Sequence, residues 1–137
     1  MFYGIRKMVE YIDKNSLIHE NDIVLRIRTD FYIEDCDVKT FNNIFVNMED
    51  DAIFNRLRGH TCDWFSISTY KTFKKIWYIR DDIQYNDIID NLFNAESIVS
   101  YRSKIYNINI IDIRNIITLC ICREFADENN IKLQKFQ

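Results

Sequence analysis

The sequence predicts a mainly α-helical protein, a compact bundle packed around one central apolar helix. The 137-residue chain contains two glycines and no proline, whereas β-sandwiches and β-barrels use these residues in their many tight turns. Apolar residues recur at helical spacing in several segments, and one segment near the C-terminus is apolar around most of a helix circumference. We therefore expect about six helices in a single domain over residues 1–137.

The two N-terminal segments differ in how clearly they indicate their structure. Four apolar residues at positions i, i+3, i+4 and i+7 predict a helix over about residues 2–14; they are Ile5, Met8, Val9 and Ile12. Residues 21–34 fit both a strand and a helix, because their apolar positions match period two as well as a helical stripe. Asn21 and Asp22 would serve as N-caps, and this favours the helix.

The middle of the chain carries the clearest amphipathic pattern. Asp37 can cap a helix whose apolar stripe extends to Ala52; the stripe contains Phe41, Ile44, Phe45, Met48 and Ala52. Gly59 then supplies a left-handed C-cap position. Ser66 or Ser68 can begin the next helix, with Tyr70, Phe73 and Trp77 on one side and Lys71, Lys74 and Lys75 on the other.

The C-terminal half contains the predicted centre of the fold. A short helix is expected over about residues 86–94, and residues 105–111 could form a short strand. Asp112 is a possible N-cap for a helix that continues to Phe125. Its apolar residues cover most of the helix circumference, which is typical of a helix enclosed by other helices.

Charge and composition limit which binding partners and which cellular location the sequence favours. The formal net charge of −3 disfavours a general affinity for nucleic acid. The longest apolar stretch, around Ile116 to Cys122, is much shorter than the ~20 residues of a membrane-spanning helix, and no signal peptide is recognised. We expect a cytoplasmic protein without a membrane anchor, whose four cysteines are reduced.

No catalytic or metal-binding motif is present. His60 and Cys62 are the only close Cys/His pair, whereas a structural zinc site needs four ligands. The two histidines and two glycines provide neither a nucleophile–base arrangement nor a phosphate-binding loop. Adjacent carboxylates such as Asp50–Asp51 are typical of solvated surfaces. We predict a protein that is not an enzyme and that has no cofactor.

A group of aromatic residues is the candidate protein-binding surface. The group consists of Trp64, Phe65, Tyr70, Phe73, Trp77 and Tyr78. Tryptophan and tyrosine are enriched where proteins contact one another. Aromatic residues also dominate protein interiors, so membership of the core is the alternative interpretation.

Three blocks carry a family resemblance: MVEYI at 8–12, FNNIFVNMEDDAI at 41–53, and residues 113–125, which include IITLC at 116–120. In order, they resemble the first helix, the second helix and the buried central helix of the poxviral Bcl-2-like immunomodulators. The resemblance implies a Bcl-2-like helical fold. The family continues for two more helices after the central one, whereas this chain ends at Gln137, so the resemblance implies a trimmed bundle or one that a partner chain completes.

The resemblance implies non-enzymatic sequestration of a host signalling protein, through a helix face or a groove that accepts an amphipathic helix. Within the family, the lack of a C-terminal apolar tail argues against mitochondrial anchoring, and this favours inflammatory signalling over direct control of cell death. A structural or assembly subunit of a larger viral complex, with a possible homodimer, is the alternative. A small nucleic-acid-binding protein is a lesser alternative, and it would use Lys71, Lys74, Lys75 and Arg80.

Overall fold

The computed structural model describes residues 2–28, 31–57, 61–80, 95–121 and 134–135. Within these residues the chain combines helices with strands in two sheets. The helices are α1 (Phe2–Asn15), α2 (Val38–Val46), α3 (Tyr70–Trp77) and α4 (Ala95–Ile105). The strands are β1 (Ile23–Ile27), β2 (Phe31–Cys36), β3 (Ala52–Leu57), β4 (Thr61–Thr69), β5 (Asn109–Asp112), β6 (Ile117–Ile121) and β7 (Gln134–Lys135). The prediction of a mainly α-helical bundle is therefore wrong, since the fold is a mixture of α and β.

The larger sheet places β1 at one edge. Its strand order is β1-β4-β3-β5. Neighbouring strands are antiparallel except β3 and β5, which are parallel. The smaller sheet has the order β2-β6-β7 and is antiparallel. In the described part of the chain, β1 therefore has a paired strand on one side only.

Apolar side chains form a core on each face of the larger sheet. Alternate residues of a strand point to opposite faces, so the neighbours Ile53 and Phe54 on β3 belong to different cores. The helix-side core consists of Val9, Ile53, Tyr70, Phe73, Ile76, Trp77, Ile79, Ile98, Val99 and Ile108. The α2-side core consists of Ile44, Phe65, Ile67, Ile113 and Ile117. The larger sheet is thus the middle layer of the fold.

The predicted helix over residues 2–14 is confirmed by α1, whose Val9 is completely buried. The predicted cap at Asp37 is also confirmed, because its carboxylate accepts a hydrogen bond from the backbone N–H of Thr40 at 3.2 Å. The predicted start of the next helix is wrong. Ser66 and Ser68 lie inside β4, and Thr69 is the N-cap of α3. The start of a helix can be predicted from a short stretch of sequence, because a capping hydrogen bond joins residues only three positions apart.

The chain ends two helices without glycine. Ser16 follows α1 with φ = 51°, and Asn107 follows α4 with φ = 52°. Both angles lie in the left-handed region that usually accommodates glycine at a helix C-terminus. Arg102 of α4 stabilises another helix end: its guanidinium donates to the carbonyl oxygens of Lys75 at 2.8 Å and Tyr78 at 3.1 Å.

The helix favoured over residues 21–34 is wrong. Residues Ile23–Ile27 and Phe31–Cys36 are strands, and the β-branched residues in the first of them suit a pleated surface. The amphipathic stripe after Asp37 is helical only as far as Val46, because Ala52 begins β3. The predicted helix over residues 86–94 and the predicted C-cap at Gly59 lie outside the described residues.

The central helix predicted from Asp112 to Phe125 is also wrong. Residues Ile117–Ile121 form β6, which pairs with β2, and residues 122–125 lie outside the described part of the chain. A short apolar run suits a strand covered on both faces as well as it suits an enclosed helix. Residues 117–121 of the third block are therefore a strand where the family has its central helix.

Candidate functional site

An apolar groove runs between α1 and the edge strand β1. Its volume is about 320 Å³. The lining residues are Ile5, Met8, Ile12, Ile18, Val24, Leu25, Arg26, Ile27, Tyr70 and Phe73. A cavity of this size, lined mainly by apolar side chains, lies within the range of ligand-binding clefts. The groove is the candidate functional site of the described residues.

Alternate residues of β1 direct their backbone hydrogen-bonding groups to the outer edge of the sheet, beside this groove. The N–H of Tyr70 donates to the carbonyl oxygen of Asp22 at 2.8 Å, immediately beyond the last paired residues of β1 and β4. Antiparallel partners exchange hydrogen bonds at alternate residues. Val24 and Arg26 therefore direct their backbone groups towards β4. Residues 23, 25 and 27 direct theirs away from the sheet.

Tyr70 fixes the position of α1 over the groove floor. This side chain is only 1% exposed, and its hydroxyl donates to Oδ1 of Asp13 on α1 at 2.9 Å. Burial raises the pKa of the Tyr70 phenol, and the hydrogen bond to Asp13 raises it further. The ring of Phe73 stacks beside Tyr70 with a centroid separation of 6.4 Å. One wall and the floor of the groove are thus linked.

Arg26 lines the groove and stacks on the buried ring of Trp77. Its guanidinium carbon is 4.1 Å from the centroid of the Trp77 ring, in a cation–π arrangement. Leu25 and Ile27, on the opposite face of β1, are 42% and 37% exposed. The edge of β1 is therefore bordered by apolar side chains.

Comparisons of the chain with protein-family models, curated proteins and solved structures find no match. The function is therefore inferred from the geometry of the groove.

Most of the aromatic residues predicted as a binding surface lie in the two cores. Phe65, Tyr70, Phe73 and Trp77 are buried, and Tyr78 is half-buried. The side chain of Trp64 lies outside the described set. The burial agrees with the alternative that these residues form a core. Tyr70 and Phe73 nevertheless form part of the groove floor.

The groove residues on β1 were not predicted from the sequence. Residues 23–28 read IVLRIR, in which Ile23, Leu25 and Ile27 alternate with Val24 and Arg26. That alternation is the signal of a half-buried strand, but the helical alternative obscured it. The position of this strand at a sheet edge has no signature in the sequence.

The lysines of α3 are paired with carboxylates. Lys71 lies 3.3 Å from Asp50, and Lys74 lies 3.5 Å from Asp13. The other contacts are Lys74 with Glu20 and Lys75 with Asp51. A nucleic-acid interface needs a concentrated positive potential. The pairing reduces that potential on α3, so this face does not favour nucleic-acid binding.

The described residues offer little support for metal or thiol chemistry. No cluster of three or more metal-ligating side chains occurs among them. Burial raises the pKa of the Cys36 thiol, and the carboxylates of Asp37 and Asp35 raise it further. A raised pKa disfavours the reactive thiolate. His60 lies outside the described residues, and Cys120 lies on β6.

Among the helices that the structure describes, none is both long and apolar enough to cross a membrane.

Proposed function

We propose that this protein binds another protein by accepting an extended segment of its partner as an added strand along β1. The observation that carries the proposal is the apolar groove between α1 and an edge strand whose outer backbone groups face away from the sheet. Edge strands present a row of N–H and C=O groups that can pair with another chain. Strand addition of this kind is a recurring mode of peptide recognition.

The backbone and the groove would supply different parts of the binding energy. Backbone hydrogen bonds from residues 23, 25 and 27 would provide affinity that does not depend on sequence. Side chains at alternate positions of the bound segment would enter the groove beside Met8 and Ile12. Apolar residues would be preferred there, because burial of one such side chain contributes about 1.5–3 kcal/mol.

The partner segment is an extended strand and not the amphipathic helix implied by the family resemblance. A helix satisfies its backbone N–H and C=O groups internally, so it has no use for the edge of β1. The fold contradicts the helical bundle that the resemblance implied, whereas the inflammatory-signalling role stays a prediction. The expected partner segment is therefore a strand with alternating apolar residues.

The free thiol of Cys36 is compatible with a reducing cytoplasmic location.

A selection of random 12-residue peptides displayed on phage, followed by calorimetric titration, tests this proposal. We expect peptides with apolar residues at alternate positions to be enriched. Leu25→Pro removes an outward-facing N–H while leaving the bonds to β4 in place, since proline is tolerated where an edge N–H faces solvent. We expect it to weaken binding roughly tenfold or more. Leu25→Ala keeps the N–H and should weaken binding less.

Two further variants protect this test against misfolding and nonspecific adhesion. Met8→Lys places a charge in the groove from α1 and leaves the backbone of β1 unchanged; it should also reduce the affinity. Val46→Lys alters an apolar residue of α2 that is 80% exposed and lies outside the groove; it should bind peptides as the unmodified protein does. If folded Leu25→Pro and Met8→Lys proteins bind with unchanged affinity, strand addition at β1 is refuted.

A further inference from the structure

The edge strand β1 is complementary to itself when it is reversed. With one flanking residue at each end, the segment reads Asp22, Ile23, Val24, Leu25, Arg26, Ile27, Arg28. Pairing it antiparallel with an identical segment, centred on Leu25, places Asp22 opposite Arg28. Ile23 then lies opposite Ile27. Opposite charges and apolar residues that face each other across a strand pair stabilise the pairing.

We propose that the strand added to β1 is the β1 of a second copy of this chain, so that the protein forms a twofold-symmetric dimer. This inference rests on the proposed function, because it names the occupant of the same edge. The two four-stranded sheets would join into one continuous sheet across the dimer axis. A contact of a surface with its own copy closes after two subunits.

The direction of the backbone groups permits this register and excludes every register shifted by an odd number of residues. Residues 23, 25 and 27 point their N–H and C=O groups away from β4, as the hydrogen bond from Tyr70 to Asp22 indicates. In the register centred on Leu25, each of these residues faces another member of the same set. All three facing pairs are therefore hydrogen-bonded pairs, and each exchanges two bonds. A shift by one residue would place inward-facing groups at the interface and remove these bonds.

The side chains agree with the same register. Leu25 would lie opposite Leu25 of the second copy, and Ile23 opposite its Ile27. This gives one apolar row that covers the two most exposed side chains of β1. On the groove side of β1, Arg26 would face Val24 of the second copy and not another arginine, so a valine would enter the groove beside each Arg26. Its stacking on Trp77 also directs its charge towards the helix side of the sheet and away from the edge.

Two charged residues at the ends of β1, Asp22 and Arg28, would contact each other across the dimer interface. Charges at an edge usually prevent unwanted pairing, and Arg28 would have this effect against a neutral or basic strand. Against its own copy it meets Asp22, an exposed carboxylate, at both ends of the interface. The charge pattern therefore favours a second copy over an arbitrary hydrophobic strand.

Analytical ultracentrifugation over a wide concentration range tests the proposal with the full chain. We expect the apparent mass to rise from the 16.7 kDa of one chain towards twice that value. The transition should fall in the micromolar-to-millimolar range, since interfaces under about 1,200 Å² are weak. Leu25→Pro should raise the dimer dissociation constant roughly tenfold or more. Val46→Lys, outside β1, should leave the constant unchanged.

A charge exchange tests the register. Arg28→Asp places two carboxylates opposite each other, and Asp22→Arg places two guanidinium groups opposite each other; each should weaken the dimer by roughly tenfold. The double variant Asp22→Arg/Arg28→Asp restores opposite charges and should return to within about threefold of the original value. The Asp22 carboxylate also accepts the N–H of His19. The Asp22→Arg single variant and the double variant both lack this bond, so comparing them isolates the charge.

Amide hydrogen exchange identifies the contact surface. The amides of residues 23, 25 and 27 should become protected as the concentration rises, whereas the amide of Val24, which faces β4, should be protected throughout. A monomer at every concentration, or a dimer without this protection, would overturn the second-copy inference. If the protein stays monomeric while displayed peptides still bind at Leu25, only the second-copy inference fails. If neither ligand binds at β1, the proposed function fails as well.

Discussion

Removal of one hydroxyl group tests how α1 is held above the groove. Tyr70→Phe deletes the Oη atom that lies 2.9 Å from Oδ1 of Asp13. The buried ring and its stacking on Phe73 remain, so no cavity forms. A hydrogen bond to a charged group contributes about 1.5–3 kcal/mol. Because the Asp13 side chain is 45% exposed and regains water, we expect a loss of about 1–2 kcal/mol.

Urea unfolding measures this loss directly. For a chain of this length the same change lowers Tm by roughly 3–8 °C. The matched control is Tyr11→Phe, which removes the hydroxyl of an exposed tyrosine on α1 and should change the free energy of unfolding by less than about 0.5 kcal/mol. If Tyr70→Phe is no more destabilising than Tyr11→Phe, the link between α1 and α3 has been assigned to the wrong contact.

The same substitution has a defined alkaline signature. The pKa of Tyr70 is raised in the folded state by burial and by its bond to Asp13, so the folded protein retains a proton that the unfolded chain releases near pH 10. This stability is fully present below pH 10 and is lost as the pH rises towards the folded pKa, at up to about 1.4 kcal/mol per pH unit. The advantage of the unmodified protein over Tyr70→Phe should therefore stay constant up to about pH 10 and shrink at higher pH.

Three further predictions concern the framework around the groove. Ile53→Ala opens a cavity in the helix-side core and should lower the unfolding free energy by about 2–5 kcal/mol, whereas Val46→Ala at an exposed position of α2 should change it by less than about 0.5 kcal/mol; urea titrations of both variants decide this. A lysine in place of Arg102 cannot donate to both carbonyl oxygens that the guanidinium reaches, so Arg102→Lys should lower the free energy of unfolding by about 1–3 kcal/mol. A urea midpoint and slope equal to those of the unmodified protein would contradict the proposed stabilisation of α3. The pKa of Asp37 is lowered by its bonds to Thr40, so the stability that its charge adds is present above about pH 4 and is lost as the pH falls through the folded pKa. The difference between the unmodified protein and Asp37→Asn should therefore disappear on acidification from pH 7 to pH 2, and a difference that grows would refute this role.

Local structure was predictable from the sequence where its bonds are local. The stripe that contains Val9 places α1 correctly, and the Asp37 cap places the start of α2. The stripe of α3 is also correct, although its cap is Thr69. A helix joins residues that are three or four positions apart, so short stretches of sequence contain most of the information that forms it.

The strands were not predictable in the same way. Residues 117–121 form an apolar, β-branched run that suits an enclosed helix or a strand, and β2 decides the outcome by pairing Ile117 with Cys36. Ile23 likewise pairs with Thr69, far away in the sequence. Such contacts exist only after the chain has folded, because their hydrogen bonds join distant residues.

The amino-acid sequence by itself determined the apolar faces of α1 and α3, the cap of α2 and the alternating pattern of residues 23–28. Only the tertiary structure decided that β1 lies at a sheet edge and that α1 packs beside it. Edge position depends on the order of strands, and each strand finds its neighbours through hydrogen bonds and apolar contacts between distant segments. The groove is the space left between those segments, so no single stretch of the chain encodes it.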